Sequence, residues 1–418
     1  DFSPVPPVVQ AQPSKLDPFK PVIQEWLDAD KKHWRKQHHT AQRIYERLVE
    51  EQGYTDSYSV VQRYLKKCRS VQTEKANLEL VWNPGPAQVD FGEADFYESG
   101  KLIRKKYLTL SFPYSNDGYS QVFGGETTEC VCQGLVDIFE FIGGIPPMLI
   151  FDNATGVGRR IGDVIHETEL FSRFRAHYHF RVRFCNSYSG WEKGNVENKV
   201  GYLRRNHLVP IPRFDDLTEQ NKQFLVCCET DMQREHYEDG NGRFIRELFE
   251  EDVAHLRPLP SVPFDTANYI TAKTDKYGKF TLDAGKHRYS ASPVFCESIV
   301  NLKITSASVT VLDQDMYEIV RHKRLYGSDH ESMDWVPYLA YIARKPRSLR
   351  NSGIYDMMPQ TMRLYMDSCE SKDRGRILKV LAELTERTGF TSAVNTVNEA
   401  VRMNATDPDS LETLYRRT

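Results

Sequence analysis

The sequence predicts a multidomain α/β chain: a mixed-sheet core between an amino-terminal helical unit and a carboxy-terminal β-rich unit that runs into a helical tail. Three observations predict it. The 418 residues exceed what one compact core usually holds. Between residues 87 and 205, three strand-like runs in succession give way to alternating helical and strand-like runs, the order of a layered mixed sheet with flanking helices. From 268 to 325, short strand-like runs recur between regular turns, the pattern of a small β-barrel.

Residues 1–17 carry Pro4, Pro6, Pro7 and Pro13 and read as an extended linker. A helical unit follows over 18–72. Ile23, Trp26 and Leu27 share one stripe, the basic run Lys31-Lys32-His33-Trp34-Arg35-Lys36 comes next, and a helix from Thr40 turns Ile44 and Leu48 inward. Gly53 breaks that helix. Ser57 can cap the next one, 58–67, with Val61 and Leu65 inward and Gln62, Arg63, Lys66 and Lys67 outward. Two helices on a short turn, the second polar and basic outside, have the form of a helix-turn-helix that reads DNA; a purely structural helix pair has the same spacing. Lys31, Lys32, Arg35 and Lys36 are candidate phosphate grips, or else a solvated face.

After a linker over 73–85, the core is expected over 86–225. Strands are predicted at 87–96, 106–112 and 119–124, the first two joined around Ser99-Gly100, then a helix over 127–141 ended by Gly143-Gly144. A short buried strand over 147–152, Met148-Leu149-Ile150-Phe151, ends on the carboxylate of Asp152. A helix over 167–177, a strand over 180–185 and a helix over 191–205 complete the core. A helical connector is expected over 226–266. The barrel, 267–327, has strands at 269–273, 279–282, 299–304, 308–312 and 319–324. In the helical region 328–418, Ser371 can cap a helix that carries Ile377, Leu378, Leu381 and Leu384 at helical spacing and stops at Gly389.

The balance of 55 basic and 58 acidic side chains gives a net charge of −3, so a nucleic-acid partner has to be argued locally. The eight cysteines form no CxxC pair, which speaks against a zinc knuckle and for reduced thiols in a cytoplasmic protein. No apolar run approaches the ~20 residues that span a bilayer, and no membrane association is expected. The chain opens on Asp1-Phe2-Ser3-Pro4 with neither a signal peptide nor an initiator Met, so a further amino-terminal module is an expectation.

Buried strands rarely end in a charged side chain, because an unpaired buried carboxylate is costly. Asp152 ends one such strand, Asp90 sits within another, and Glu197 opens a helix within Gly190-Trp191-Glu192-Lys193-Gly194-Asn195-Val196-Glu197-Asn198. If the strands are neighbours and the helix crosses the sheet, the three acids converge. Such a set suits two Mg²⁺ or Mn²⁺ ions, which activate an attacking water or hydroxyl and stabilise the leaving oxygen in phosphodiester cleavage. The alternatives are a turn cap for Asp152 through Asn153 and a solvated, dipole-favoured position for Glu197. Local charge favours DNA. Arg159, Arg160, Arg173, Arg175, Arg181 and Arg183 precede Glu197, and Lys199, Arg204 and Arg205 follow it. Glu197, Gly201 and Arg204 share one helical face, which suits a phosphate backbone lying across it. Glu93, Asp95 and Glu192 are nearby acids outside the candidate set, and His177 and His179 are expected in packing or in contacts to the DNA backbone rather than as zinc ligands.

With these blocks the chain resembles the IstA family of bacterial insertion-sequence transposases, within the DDE transposase and retroviral-integrase superfamily. The resemblance is carried by Gln88-Val89-Asp90-Phe91-Gly92, by Phe151-Asp152-Asn153, and by Trp191-Glu192-Lys193-Gly194-Asn195-Val196-Glu197-Asn198 running into Gly201-Tyr202-Leu203-Arg204-Arg205. It covers roughly residues 18–325. It implies a ribonuclease-H-like catalytic core, Asp90, Asp152 and Glu197 as catalytic ligands of two Mg²⁺ or Mn²⁺ ions, an upstream DNA-binding helix-turn-helix, and a barrel like that of Mu-type transposases. It further implies a homo-oligomer on paired terminal repeats, target DNA as second substrate, and an IstB-type AAA+ ATPase as partner. The implied chemistry is hydrolysis at each end to expose a 3′-hydroxyl, followed by strand transfer.

The chain departs from that pattern in two places. Many relatives place a lysine shortly after the second Asp-Asn, where this chain has Ala154-Thr155-Gly156; Arg159 or Arg160 is the expected substitute. Relatives also carry a further amino-terminal helix-turn-helix. Two other readings stay open at this point: a non-catalytic DNA-binding protein of transposase-derived fold, and a general metal-dependent nuclease of the same superfamily.

Overall fold

The computed structural model describes residues 14–30, 39–71, 82–151, 156–161, 164–185, 194–236, 242–370, 372–405 and 407–415. The chain divides into two compact units, Asp1–Leu80 and Val81–Thr418.

In the first unit, α1 (Lys20–Asp30), α2 (Ala41–Gln52) and α3 (Tyr58–Val71) close over Ile23, Ile44, Leu48, Val61 and Leu65. The Thr40 hydroxyl accepts the Arg43 amide at 3.1 Å, satisfying one first-turn donor of α2. That helix ends at Gly53, whose φ of 68° suits a residue without Cβ. Gln62, Arg63, Lys66 and Lys67 lie on the exposed side of α3, where the spacing puts them. Lys31, Lys32, Arg35 and Lys36 lie outside the described residues.

The second unit opens with β1 (Ala87–Glu98), β2 (Lys101–Phe112), β3 (Asp117–Phe123), α4 (Thr128–Ile142) and β4 (Met148–Phe151). It continues through β5 (Gly158–Ile161), β6 (Val164–Glu167), α5 (Glu169–Tyr178), β7 (Arg181–Phe184) and α6 (Gly194–Asn206). β8 (Arg213–Phe214), α7 (Leu217–Thr230) and α8 (Ile245–Val253) complete this part. The main sheet runs β3-β2-β1-β4-β7, with β8 beside the far end of β1. β1, β2 and β3 are antiparallel neighbours, whereas β4 joins β1 and β7 joins β4 in parallel. A three-strand meander followed by parallel strands entered through helices is the ribonuclease-H-like arrangement. The β1–β2 turn falls at Ser99-Gly100, both at positive φ (48° and 79°), which matches the twist of a two-residue hairpin.

The two faces of this sheet differ in chemistry because strand side chains alternate. Leu108 and Leu110 of β2 are fully buried in an apolar core. α4 packs so near that a side chain on its Gly134 would fall 2.7 Å from Leu108. Phe139, Phe171, Phe174 and Phe180 continue the layer as stacked and edge-on rings. The opposite face carries Gln88 and Asp90 from β1, and Thr109 and Ser111 opposite them on β2. α6 crosses this polar face. At the β3 edge, Asn221 of α7 closes the exposed backbone: its carbonyl accepts the Val122 amide at 2.7 Å and its amide donates to the Val122 carbonyl at 3.0 Å.

Beyond the core lie β9 (Asn268–Lys273), β10 (Lys279–Leu282), β11 (His287–Ser290), β12 (Ile299–Ile304), β13 (Ser308–Leu312), β14 (Glu318–Lys323) and β15 (Glu331–Ser332). They form two sheets, β14-β13-β12-β9 and β10-β11-β15, around Phe280, Tyr289, Leu302, Val309 and Val311. The barrel-like unit is thus walled by two hydrogen-bonded sheets, and β11 and β15 join the strands expected from sequence. It docks on the core through Tyr326, whose ring lies against Gly124 and Gly125; a Cβ at either position would fall 2.2 or 2.5 Å from that ring. The tail helices share a separate core that includes Leu339, Met362, Tyr365, Ile377, Leu381 and Val397. The helix Arg374–Thr388 stops at Gly389, as predicted, and Ser371 lies outside the described residues. Among the described residues no helix is long and apolar enough to cross a membrane.

Candidate active site

Asp90 sits half-buried on central β1, and its neighbour Val89 pairs in parallel with Phe151, the last residue of β4. Asp152 and Asn153, which follow Phe151 in the sequence, lie outside the described residues. Glu197 lies exposed in the first turn of α6, where a helix N-terminus favours a carboxylate. Among the described residues no three acidic, histidine or cysteine side chains gather at metal-holding distance. Two of the three sequence candidates are therefore described, both carrying hard oxygen donors of the kind Mg²⁺ and Mn²⁺ take.

What binds the Asp90 strand to the Glu197 helix is a set of side chains that the sequence alone did not single out. The Gln88 carbonyl, two residues before Asp90 and on the same face of β1, accepts the Val196 amide at 3.1 Å. It thereby fills one of the orphan donors at the start of α6. The Ser111 hydroxyl donates to the Asn195 carbonyl at 2.6 Å, and the Asn195 amide reaches the Asn116 side chain at 3.4 Å. One turn on, the Tyr107 hydroxyl donates to the Val200 carbonyl at 2.9 Å and accepts from Arg204 Nε at 3.3 Å. Burial pushes the Tyr107 hydroxyl above its ordinary pKa against the opposing pull of Arg204, so it stays a donor. Gln88 and Gly92 belong to the block around Asp90, and Asn195 to the block around Glu197. The blocks that carry the acids also carry the groups that join them.

The nearby acids separate cleanly from the candidates. Glu93 and Asp95 stand at odd positions of β1, on the opposite face from Asp90. Glu93 pairs with Lys106 and Asp95 with Arg104 at 2.9 Å, each partner directly across on β2. Glu192 lies outside the described residues. His177 bonds the Val262 carbonyl at 3.0 Å and packs against Phe264, while His179 ends α5 in the left-handed region. His177 is thus placed in packing, whereas His179 is exposed.

Arg204 and Arg205 are exposed at the end of α6, and Arg159 is exposed on β5. The side chain of Arg160 lies outside the described residues. Lys199 corrects the expectation of a DNA contact. It is buried, with only 2% of its surface exposed, and its ammonium donates to Asp231 at 3.0 Å and to the Asn116 carbonyl at 3.2 Å. Lying two residues from Glu197, it points about 200° around the helix, into the core. No disulfide joins any of the eight cysteines. An open cavity of about 720 Å³ lies elsewhere, beside Lys276, Arg288, Met333 and Tyr341.

The family described as the Mu-like transposase middle domain matches residues 19–73. A transposase of Aminobacter aminovorans is 29% identical over 371 residues, covering 85% of this chain and 72% of that protein. The transposase for insertion sequences IS1326/IS1353 of Pseudomonas aeruginosa is 26% identical over 366 residues, covering 82% of this chain and 70% of that protein. Over most of its length the chain is thus similar to insertion-sequence transposases. Among solved structures, the HTLV-2 integrase catalytic core domain in complex with magnesium aligns with 40% of this chain and 96% of that chain, at 14% identity and a TM-score of 0.27. The fold of this chain rests on its own strand order.

Proposed function

We propose that the chain cuts the ends of its insertion sequence and joins them to target DNA, with Asp90, Asp152 and Glu197 as ligands of two Mg²⁺ or Mn²⁺ ions. The observation that carries this reading is the Gln88–Val196 bond, which ties the start of the Glu197 helix to the strand of Asp90. The pairing of Val89 with Phe151 supports Asp152 as the third ligand, because it brings the chain immediately before Asp152 alongside the residue before Asp90.

Bound ions would activate the attacking hydroxyl and neutralise charge on the leaving oxygen. The chain's own groups have separate tasks. The carboxylates of Asp90 and Glu197 supply hard oxygens from a rigid strand and from a clamped helix. In the first step water attacks the end phosphodiester and the 3′ oxygen leaves with a proton as a hydroxyl. In the second step that hydroxyl attacks a target phosphodiester, and a target 3′ oxygen leaves. Arg204 and Arg205, and Arg159 on its hairpin, are read as phosphate contacts that position the strand.

In the same reading residues 18–72 bind DNA through Gln62, Arg63, Lys66 and Lys67, with Lys31, Lys32, Arg35 and Lys36 as further contacts, and Arg160 joins Arg159 as a contact of the catalytic domain. The linker 73–85 leads to the catalytic domain 86–225; 226–266 connects it to the barrel unit 267–327, and 328–418 forms the helical region. A homo-oligomer on paired ends, an IstB-type ATPase partner and a cytoplasmic location belong to this proposal as well.

The test incubates the protein with Mn²⁺ and a labelled duplex ending in the terminal repeat that flanks its gene. Asp152→Asn and Glu197→Gln should abolish nicking and joining while end binding persists. Joining by either variant at the parent rate would sink the assignment, and end binding without chemistry in the parent, even with the ATPase added, would favour a non-catalytic DNA-binding protein.

A further inference from the structure

The strongest feature outside the candidate ligands is a buried polar hub beneath α6. Asp231, just past the end of α7, takes bonds from two side chains of the Glu197 helix: Lys199 Nζ at 3.0 Å and the Tyr202 hydroxyl at 2.7 Å. Arg234 Nε donates to the same carboxylate at 3.0 Å, and its guanidinium lies 4.4 Å from the centre of the Tyr202 ring. The His207 ring, just past α6, stands 3.8 Å away. Lys199 also reaches the Asn116 carbonyl in the β2–β3 turn, and its stem packs over Gly118, where a Cβ would fall 3.0 Å from it.

A buried ion pair is weak evidence of stability, since well-packed apolar groups of similar volume often do as well. What this one supplies is direction. Its bonds leave α6 at Lys199 and Tyr202, on the side away from Glu197, and end on one carboxylate. Gln88 and Tyr107 hold the same helix from the sheet. Between them the two anchor sets determine both the rotation of α6 and its distance from β1.

We propose that Asp231 is a positioning residue for the Glu197 carboxylate, acting through Lys199 and Tyr202. This rests on the reading of Asp90, Asp152 and Glu197 as metal ligands and deepens it: the α7 end, distant in sequence, sets the geometry of the third ligand. Groups that orient metal ligands are typically worth 10–100-fold in metal affinity, so the loss should appear as a demand for more metal.

The experiment uses the full chain with two variants. Lys199→Met/Asp231→Leu removes both charges and keeps volume; Tyr202→Phe removes one bond and leaves no charge unpaired. Each is measured for melting temperature, for the Mn²⁺ concentration that half-saturates the Mn²⁺-induced rise in melting temperature, for terminal-repeat binding, and for the Mn²⁺ midpoint of nicking. The paired variant should bind DNA as the parent does and need about tenfold more Mn²⁺ in both metal titrations. Tyr202→Phe should shift the midpoints the same way by a smaller factor. Unchanged Mn²⁺ midpoints in a folded variant would reduce Asp231 to a packing role and overturn the proposal. If the paired variant fails to fold, Tyr202→Phe alone decides between these outcomes. A Glu197→Gln control that nicks like the parent, at the parent's Mn²⁺ midpoint, would instead overturn the ligand reading, and the proposal with it.

Discussion

Gly92 and Tyr107 face each other across β1 and β2 so closely that a Cβ on Gly92 would fall 2.2 Å from the tyrosine ring. The ring lies across the strand where another residue would stand, and its hydroxyl reaches the Val200 carbonyl on α6. The glycine two positions after Asp90 is therefore a clearance for the tyrosine that holds the Glu197 helix.

Gly92→Ala should displace the Tyr107 ring and cost about 1–3 kcal/mol, the usual range for overpacking. Tyr107→Phe keeps the ring, loses the bond to Val200 and should cost about 1 kcal/mol. Urea unfolding of both variants checks the order. A Gly92→Ala chain as stable as the parent would show that the ring can move away freely.

Gln88→Leu should leave the Val196 amide without its acceptor in a buried setting, at about 1–3 kcal/mol, and lower nicking more than end binding. Gln88→Glu retains an acceptor and adds a charge favourable to a helix start, so it should stay closer to the parent in melting temperature.

Asp252 gives a pH dependence of known sign. Burial pushes its carboxyl up to about 6, against the lowering bonds from Gly85 and Ser115, while an unfolded aspartate titrates near about 3.9. Between about pH 4 and 6 the folded chain holds the extra proton, so stability falls as pH rises through that window and levels off above it. Asp117, fully buried and also pushed up to about 6, adds to the same slope. Asp252→Asn still accepts the Gly85 amide and cannot ionise, so its melting curve between pH 4 and 7 should be flatter than the parent's by on the order of 1–3 kcal/mol in total. An equal slope in the variant would assign the dependence to other groups.

If α3 grips phosphates, Arg63→Ala and Lys66→Ala should each weaken binding to terminal-repeat and unrelated duplexes alike. Each should also reduce the slope of log affinity against log salt by about 1. A loss confined to the terminal repeat would mean that these side chains read bases instead.

Much of the fold was legible in local chemistry. Alternation marked β1 to β3, Ser99-Gly100 marked their first turn, and Gly143 and Gly389 marked helix ends. The β5–β6 hairpin was not legible: each strand is four residues long, and arginines stand where an apolar alternation would be sought. β11 is only four residues long and follows β10 through a tight turn in which Asp283, Ala284 and Gly285 all have positive φ; the Asp and Gly of that turn were a signal left unused. Lys199 was misjudged although a signal was present. Val196, Lys199, Val200 and Leu203 follow the i, i+3, i+4, i+7 spacing of a buried stripe, and all four are buried. Its partner Asp231 lies 32 residues away, and no local pattern announces such a pairing.

The Asn221 clasp on β3 has a consequence for assembly. A neighbouring copy could extend the main sheet only by displacing that side chain from both backbone groups of Val122. At the far edge, β7 presents Arg181 and Arg183 outward, so two such strands brought together would repel. Both borders of the sheet thus resist templated growth, so the fold guards against edge-to-edge polymerisation of its own copies.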